Sequence, residues 1–179
     1  MKLLILYGTT EGQTRKIAHF IEAILHNAGH QVTIADTTDE PPAPKGYDAV
    51  LIGSSIHMHK YQSAVKHYIK KHVADLNQIP GAFFSVSLAA ASGIEDEHRE
   101  VQKITTDFLE QTGWKPLMTA QIAGALKYTE YDYFKRLIMK MISKKEGGAT
   151  DTSQDYEYTK WDEVTKFVNE FANKISHKS

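Results

Sequence analysis

Five short apolar runs alternate with amphipathic stretches along almost the whole chain, and that rhythm leaves few folds open. Lys2–Tyr7 reads as a buried strand. Gln13–Asn27 carries Ile17, Phe20, Ile21, Ile24 and Leu25 at helical spacing, and Gly29 follows as a stop signal. Gln31–Ala35 is a second strand, and the proline-punctuated loop "EPPAPKG" at 40–46 leads to a third, Asp48–Ser54. The spacing of Val65, Tyr68, Ile69 and Val73 predicts a helix over Tyr61–Leu76. "GAFFSVS", Gly81–Ser87, is a fourth strand, Asp96–Thr112 a helix, and Leu117–Ala123 a fifth strand. Thr159–Ile175 closes the pattern as a helix with Trp161, Val164, Phe167, Val168 and Phe171 on one face. Strands that alternate with helices imply an α/β fold: a parallel, doubly wound sheet with right-handed crossovers.

Length and composition narrow the class. A chain of 179 residues, 41% hydrophobic and 24% charged, suits one domain with a substantial core, and we expect 1–179 to form one. No apolar run approaches the roughly 20 residues that span a bilayer. The opening "MKLLILYGTT" turns polar too early for a signal peptide. With no cysteine, thiolate metal sites, disulfides and cysteine nucleophiles are excluded, and a cytoplasmic location is expected. A net charge of −1 gives no field that points to nucleic acid. His57 and His59 form an H-x-H with His67 and His72 nearby, but no metal site is expected, because no carboxylate–histidine spacing accompanies them.

One stretch breaks the rhythm. Gly124–Tyr158 is 35 residues long where a plain αβ connection needs about 2–6. Inside the insertion, which spans about 125–158, "YDYFKRLIMKMISKK" (131–145) places Phe134, Leu137, Ile138, Met141 and Ile142 at helical spacing. From 127 to 145 six cations, among them Lys127, Lys135 and Arg136, face Glu130 and Asp132, a net of +4. Such a basic amphipathic helix lies on a membrane interface or packs on its own domain; the pattern fits both.

The corner "YGTTEGQT" (7–14) joins the first strand to the first helix. In an open parallel sheet, ligands bind at the carboxyl ends of the strands. A helix start exposes free N–H groups and the positive end of its dipole, which together hold phosphate. Thr9, Thr10 and Thr14 add hydroxyl donors, and Gly12 permits close approach. Thr9 or Thr10 would equally serve as a plain N-cap. The place of the corner, on the first strand of five, favours a ligand. The loop has no lysine, so it is not a triphosphate loop, and the dinucleotide glycine pattern is absent. A phosphate monoester held by neutral donors is the expected occupant.

These residues resemble the phosphate-binding loop of flavodoxin-like proteins, with Thr9, Gly12, Gln13 and Thr14 in matching places. Glu11 stands where a threonine or serine is usual; its N–H would serve the phosphate while its carboxylate turns to solvent. The resemblance implies a five-stranded sheet of order 2-1-3-4-5 and FMN as cofactor. Two further loops would hold the flavin ring, "SSIHMHKYQSA" (54–64) and "SLAAASGIEDEHRE" (87–100). The implied contacts there are Ser54, Ser55, Ile56, His57 and Tyr61 in the first loop. In the second they are Ser87, Leu88, Ala89, Ala90 and Ala91. Tyr61, His57 or Met58 would pack on a ring face, although His57 also reads as an ordinary surface histidine.

The likeness extends beyond the sheet. "EGQT" (11–14), "YDAVLIGSSIHMHKY" (47–61), "KKHVADLN" (70–77), "FFSVSL" (83–88), "IAGALKY" (122–128), "LIMKMISKKEGGATDT" (137–152) and "YTKW" (158–161) resemble the quinone-dependent protoporphyrinogen IX dehydrogenases of bacterial haem synthesis. The segments "HMHK" (57–60) and "AASGIEDEHRE" (90–100) depart from that pattern. The resemblance implies an FMN enzyme that oxidises protoporphyrinogen IX in three two-electron cycles. Electrons would pass to a membrane quinone, menaquinone or ubiquinone, with the chain cytoplasmic or peripheral on the inner membrane. Lys60, Lys127, Lys135 and Arg136 would meet propionates or lipid phosphates. No acid–base side chain is singled out as catalytic. The alternatives are a flavodoxin-type electron carrier and an NAD(P)H:quinone oxidoreductase. Carriers of this kind are commonly acidic to dock basic partners, unlike this nearly neutral chain.

Overall fold

A computed structural model describes residues 1–126 and 156–177. The elements run β1 (Lys2–Gly8), α1 (Gln13–Asn27), β2 (Gln31–Asp36), β3 (Ala49–His57), β4 (Lys60–Tyr61) and α2 (Ser63–Leu76). They continue with β5 (Gly81–Ser87), α3 (Glu95–Thr112), β6 (Met118–Ala123), β7 (Ala125–Leu126), β8 (Tyr156–Glu157) and α4 (Trp161–Ser176). The main sheet has the order β2-β1-β3-β5-β6, all parallel. Counting only these five strands, the order is the expected 2-1-3-4-5. The predicted helix over 131–145, and Lys127, Lys135 and Arg136 with it, lie outside the described residues.

The sheet is covered on both faces, and the side-chain alternation of β1 shows how. Leu3, Ile5 and Tyr7 point to α1 and α4, where Ile17, Ile21, Leu25, Val164, Val168 and Phe171 meet them. Leu4 and Leu6 point to the opposite face, against Val65, Ile69 and Phe108 of α2 and α3. Leu3 to Leu6 have no exposed surface. Each such side chain contributes about 1.5–3 kcal/mol, so a charge at any of these positions would break the core. Helix α1 stops as its glycine predicts. Gly29 takes φ 85°, and the N–H groups of Gly29 and His30 return to the carbonyls of His26 and Leu25.

Two boundaries differ from the sequence reading. β3 runs on to His57 because β4 pairs back on it antiparallel, Ile56 opposite Tyr61 and His57 opposite Lys60. Tyr61 therefore belongs to a hairpin and not to α2, which begins at Ser63. The turn of that hairpin is Met58–His59, at φ 47° and 62°. Two left-handed residues in succession match the twist of a tight hairpin, though neither is glycine. Beyond β6, β7 and β8 pair antiparallel and so bring together the two ends of the 127–155 segment.

Candidate functional site

The carboxyl ends of β1, β3 and β5 open onto one cleft. Thr9, Thr10, Glu11, Gln13, Thr14, Ser55, Ile56, His57, Val86, Ser87, Leu88, Gly124 and Ala125 line it.

The β1–α1 corner is built as a cradle. Gly8 has no room for a side chain: a Cβ there would stand 2.5 Å from Val65. That close approach lets Gln62 cross the strand end and donate to the Thr10 hydroxyl at 3.0 Å. The Thr9 hydroxyl accepts from the Gly12 N–H at 2.8 Å, which turns the loop, and Gly12 takes φ 91°. That left-handed conformation suits glycine. Helix α1 then starts at Gln13 with no side-chain cap, so the first-turn N–H groups have no partner within the helix. Thr14 is buried and its Oγ1 has no hydrogen-bond partner; the same holds for Ser55 Oγ across the cleft. A buried hydroxyl without a partner costs about 1–3 kcal/mol. Two of them on one cleft, with an uncapped helix start between, fit an anion rich in acceptor oxygens. The exposed Arg15 guanidinium lies 4.0 Å from where a Gly12 Cβ would stand and does not line the cleft.

The expected ring contacts divide. Ser55, Ile56, His57, Ser87 and Leu88 line the cleft. Ser54 does not: it is fully buried in β3 between Gly8 and Ser85. Tyr61 does not either. Its ring packs on Phe83 and Phe108 in the core of the α2–α3 face. Its hydroxyl donates to Ser85 Oγ at 2.8 Å and lies 2.7 Å from Thr105 Oγ1. Burial pushes this phenol up to about 12, against the opposing pull of the Ser85 and Thr105 hydrogen bonds. Ala89–Ala91 form a single 3₁₀ turn behind the wall, with the Ala90 N–H donating to Ser87 Oγ at 3.2 Å. Gln13 lines the cleft, but its side-chain amide is committed to Thr159 at 2.8 Å, which leaves its backbone N–H for a ligand. Lys60 is exposed in the hairpin and is not part of the cleft wall. Val86, Gly124 and Ala125 were not foreseen. Gly124 arrives because its N–H donates to Ser87 at 3.0 Å and ties β6's exit to β5.

Among the described residues no cluster of three histidine or carboxylate side chains is placed to hold a metal, and no helix is long and apolar enough to cross a membrane.

A doubly wound sheet of this order, with a cleft at an uncapped helix start after its first strand, defines the class: residues 4–153 match the family model of the flavodoxin domain. The fold is shared with oxidised flavodoxin 1 of Bacillus cereus, at TM-score 0.59 and 13% identity over 97% of this chain and 98% of that one. It is shared too with a Fusobacterium nucleatum flavodoxin mutant solved bound to flavin mononucleotide, at TM-score 0.55 and 13% identity over 99% and 96%. Sequence likeness goes further. Over 174 residues the chain is 40% identical to the protoporphyrinogen IX dehydrogenase (quinone) of Escherichia coli K12, covering 97% of this chain and 96% of that protein. The chain belongs to the protoporphyrinogen IX dehydrogenase (quinone) family.

Proposed function

We propose that the chain holds FMN in this cleft and oxidises protoporphyrinogen IX to protoporphyrin IX, with a membrane quinone as electron acceptor. The observation that carries the cofactor is the pair of orphaned hydroxyls, Thr14 and Ser55, on either side of an uncapped helix start. The N–H groups of Glu11, Gly12, Gln13 and Thr14, with the Thr10 hydroxyl, are the set available to a phosphate monoester. Gly12's N–H is the exception in the free state, since it is held by Thr9. Ser55, Ile56, His57, Ser87 and Leu88 form the walls for a flat ring. FMN, once bound, supplies a two-electron acceptor that quinone can re-oxidise. The protein's part is to place that ring, exclude water from one side of it and leave an edge open to substrate. The near full-length identity to a named protoporphyrinogen IX dehydrogenase supports the substrate and acceptor.

The basic amphipathic pattern over 131–145 supports a peripheral contact with an anionic membrane, where the quinone is dissolved. Lys127, Lys135 and Arg136 are its proposed lipid or propionate contacts. A nearly neutral chain argues against a pure electron carrier. The test is anaerobic: purified flavoprotein, protoporphyrinogen and a quinone, read by porphyrin fluorescence. Quinone-dependent fluorescence is the expected result. Fast flavin reduction by NAD(P)H with no response to porphyrinogen would sink the proposal.

A further inference from the structure

Two sequence motifs far apart, "EGQT" and "YTKW", meet in space. Gln13 is the first residue of α1, and its Nε2 donates to Thr159 Oγ1 at 2.8 Å across 146 residues of chain. The Thr159 hydroxyl in turn donates to the Ala123 carbonyl at 2.7 Å, at the end of β6. Next to it the Tyr158 N–H donates to the Gly124 carbonyl at 3.1 Å. One helical turn along α1, Lys16 pairs with Glu157. Glu157 also accepts from Trp161 Nε1 at 2.8 Å, and the Trp161 ring packs on Phe20 of α1 at 4.7 Å. Thus the start of α1, with its free N–H groups, also grips β8 and the start of α4.

We propose that Thr159 is a positioning residue for the phosphate cradle. By holding the Gln13 amide, it keeps that side chain out of the anion site and fixes the first turn of α1 in the orientation its N–H groups need. A phosphate that orders the same turn must then tighten the Gln13–Thr159 link, because coupling between two sites is reciprocal. The inference rests on the assignment of FMN to this cleft. It goes beyond that assignment in giving "YTKW" a task in cofactor binding, although Thr159 does not line the cleft.

The test compares FMN with riboflavin, which lacks the phosphate, by quenching of flavin fluorescence on titration with apoprotein. Thr159→Val is expected to weaken FMN about 10-fold, equivalent to about 1.4 kcal/mol, with riboflavin changed less than about twofold. Thr159→Ser is expected to restore FMN binding, and Gln13→Ala with Thr159→Val to be no worse than Thr159→Val alone. The reciprocal reading is hydrogen exchange at the Tyr158 amide and the Trp161 indole in wild-type protein, slowed by FMN about fivefold and by riboflavin hardly at all. Equal losses for FMN and riboflavin would reduce Thr159 to a structural contact and overturn the proposal. So would unaltered FMN affinity in Thr159→Val. Wild-type protein that binds no FMN would instead overturn the cofactor assignment beneath it.

Discussion

Two sets of hydroxyl groups lie within the same α/β sandwich and are treated in opposite ways. On the α2–α3 face, Tyr61, Ser85 and Thr105 bond one another: Tyr61 donates to Ser85, Thr105 donates to the Val101 carbonyl, and Gln121 donates to Thr105 at 2.7 Å, although Gln121 Oε1 has no partner of its own. At the cleft, Thr14 Oγ1 and Ser55 Oγ are just as shielded and have no partner. Thr37 Oγ1, Ser54 Oγ and Trp114 Nε1 are also buried without a partner, but Thr14 and Ser55 are set apart because both line one cleft. In the proposed reading the difference separates polar groups that hold the fold from polar groups kept for a ligand, since each unpaired hydroxyl costs stability until something binds it.

The largest expected effect breaks the comparison at its functional side. Thr14→Val removes a hydroxyl that no protein group uses, so the melting temperature of the apoprotein should hold or rise slightly. FMN affinity should fall about 10- to 100-fold, the range for a hydrogen bond to a charged group. Titration and thermal melts on the same sample read both. A destabilised apoprotein with normal FMN binding would mean that Thr14 belongs with the structural set.

Tyr61→Phe probes the other side. It strands Ser85, while Thr105 keeps Val101 and Gln121, and should cost about 1–2 kcal/mol in denaturant unfolding, with FMN affinity unchanged within about twofold. The wild-type phenol also sets a pH signature. Its folded value is raised to about 12 from an ordinary 10.0, mainly by burial. The contribution is therefore complete below pH 10 and is lost as pH rises from there through about 12. Tyr61→Phe should lose that alkaline slope; an unchanged slope would assign it to other groups.

The sheet was legible because apolar period and turn residues agree along the chain, and Gln13–Asn27 and Gly81–Ser87 match residue for residue. The β1–α1 corner was legible as a cleft wall because its residues are contiguous: Thr9, Thr10, Glu11, Gln13 and Thr14 all line the cleft. Tyr61 was misread for a reason of period. It sits beside α2, where Val65 and Tyr68 follow at helical intervals, and only the β3–β4 pairing assigns it to a strand. Gly124 and Ala125 were missed because the cleft receives them through a hydrogen bond from one strand exit to another. No local pattern encodes such a contact.

A smaller effect comes from the hairpin at the cleft rim. Met58 and His59 hold left-handed φ values of 47° and 62°, and Met58 is 67% exposed. The backbone is strained where the site's wall ends, in contrast to the relaxed glycine that closes α1. His59 lies 2.9 Å from Glu100 of α3, a pair that braces the turn. Met58→Gly should stabilise the protein by about 0.5–1 kcal/mol in chemical denaturation, because glycine accepts this conformation without penalty. A loss of stability would show that the methionine side chain, though exposed, is held by contacts worth more than the strain.

The smallest effect concerns the grip of Glu157 on α1. Its carboxyl is held below the usual value chiefly by the Lys16 hydrogen bond, with further donation from Trp161 and Gln13, against a smaller opposing effect of burial. A depressed folded value means that the stabilisation is complete above the ordinary 4.5 and is lost as pH falls through the lower folded one. Both partners are partly in water, so the pair is screened and contributes no more than a few tenths of a kcal/mol. Glu157→Gln should lower the melting temperature by about 1 °C at pH 7 and low salt. The gap should close as pH falls below the ordinary 4.5 through the lower folded value, and shrink at high ionic strength. The set of orphaned hydroxyls predicts neither dependence, since neutral groups do not titrate there. A gap that persisted at acid pH would trace the Glu157 contribution to its packing on Trp161, and the cleft would then be braced by shape and not by charge.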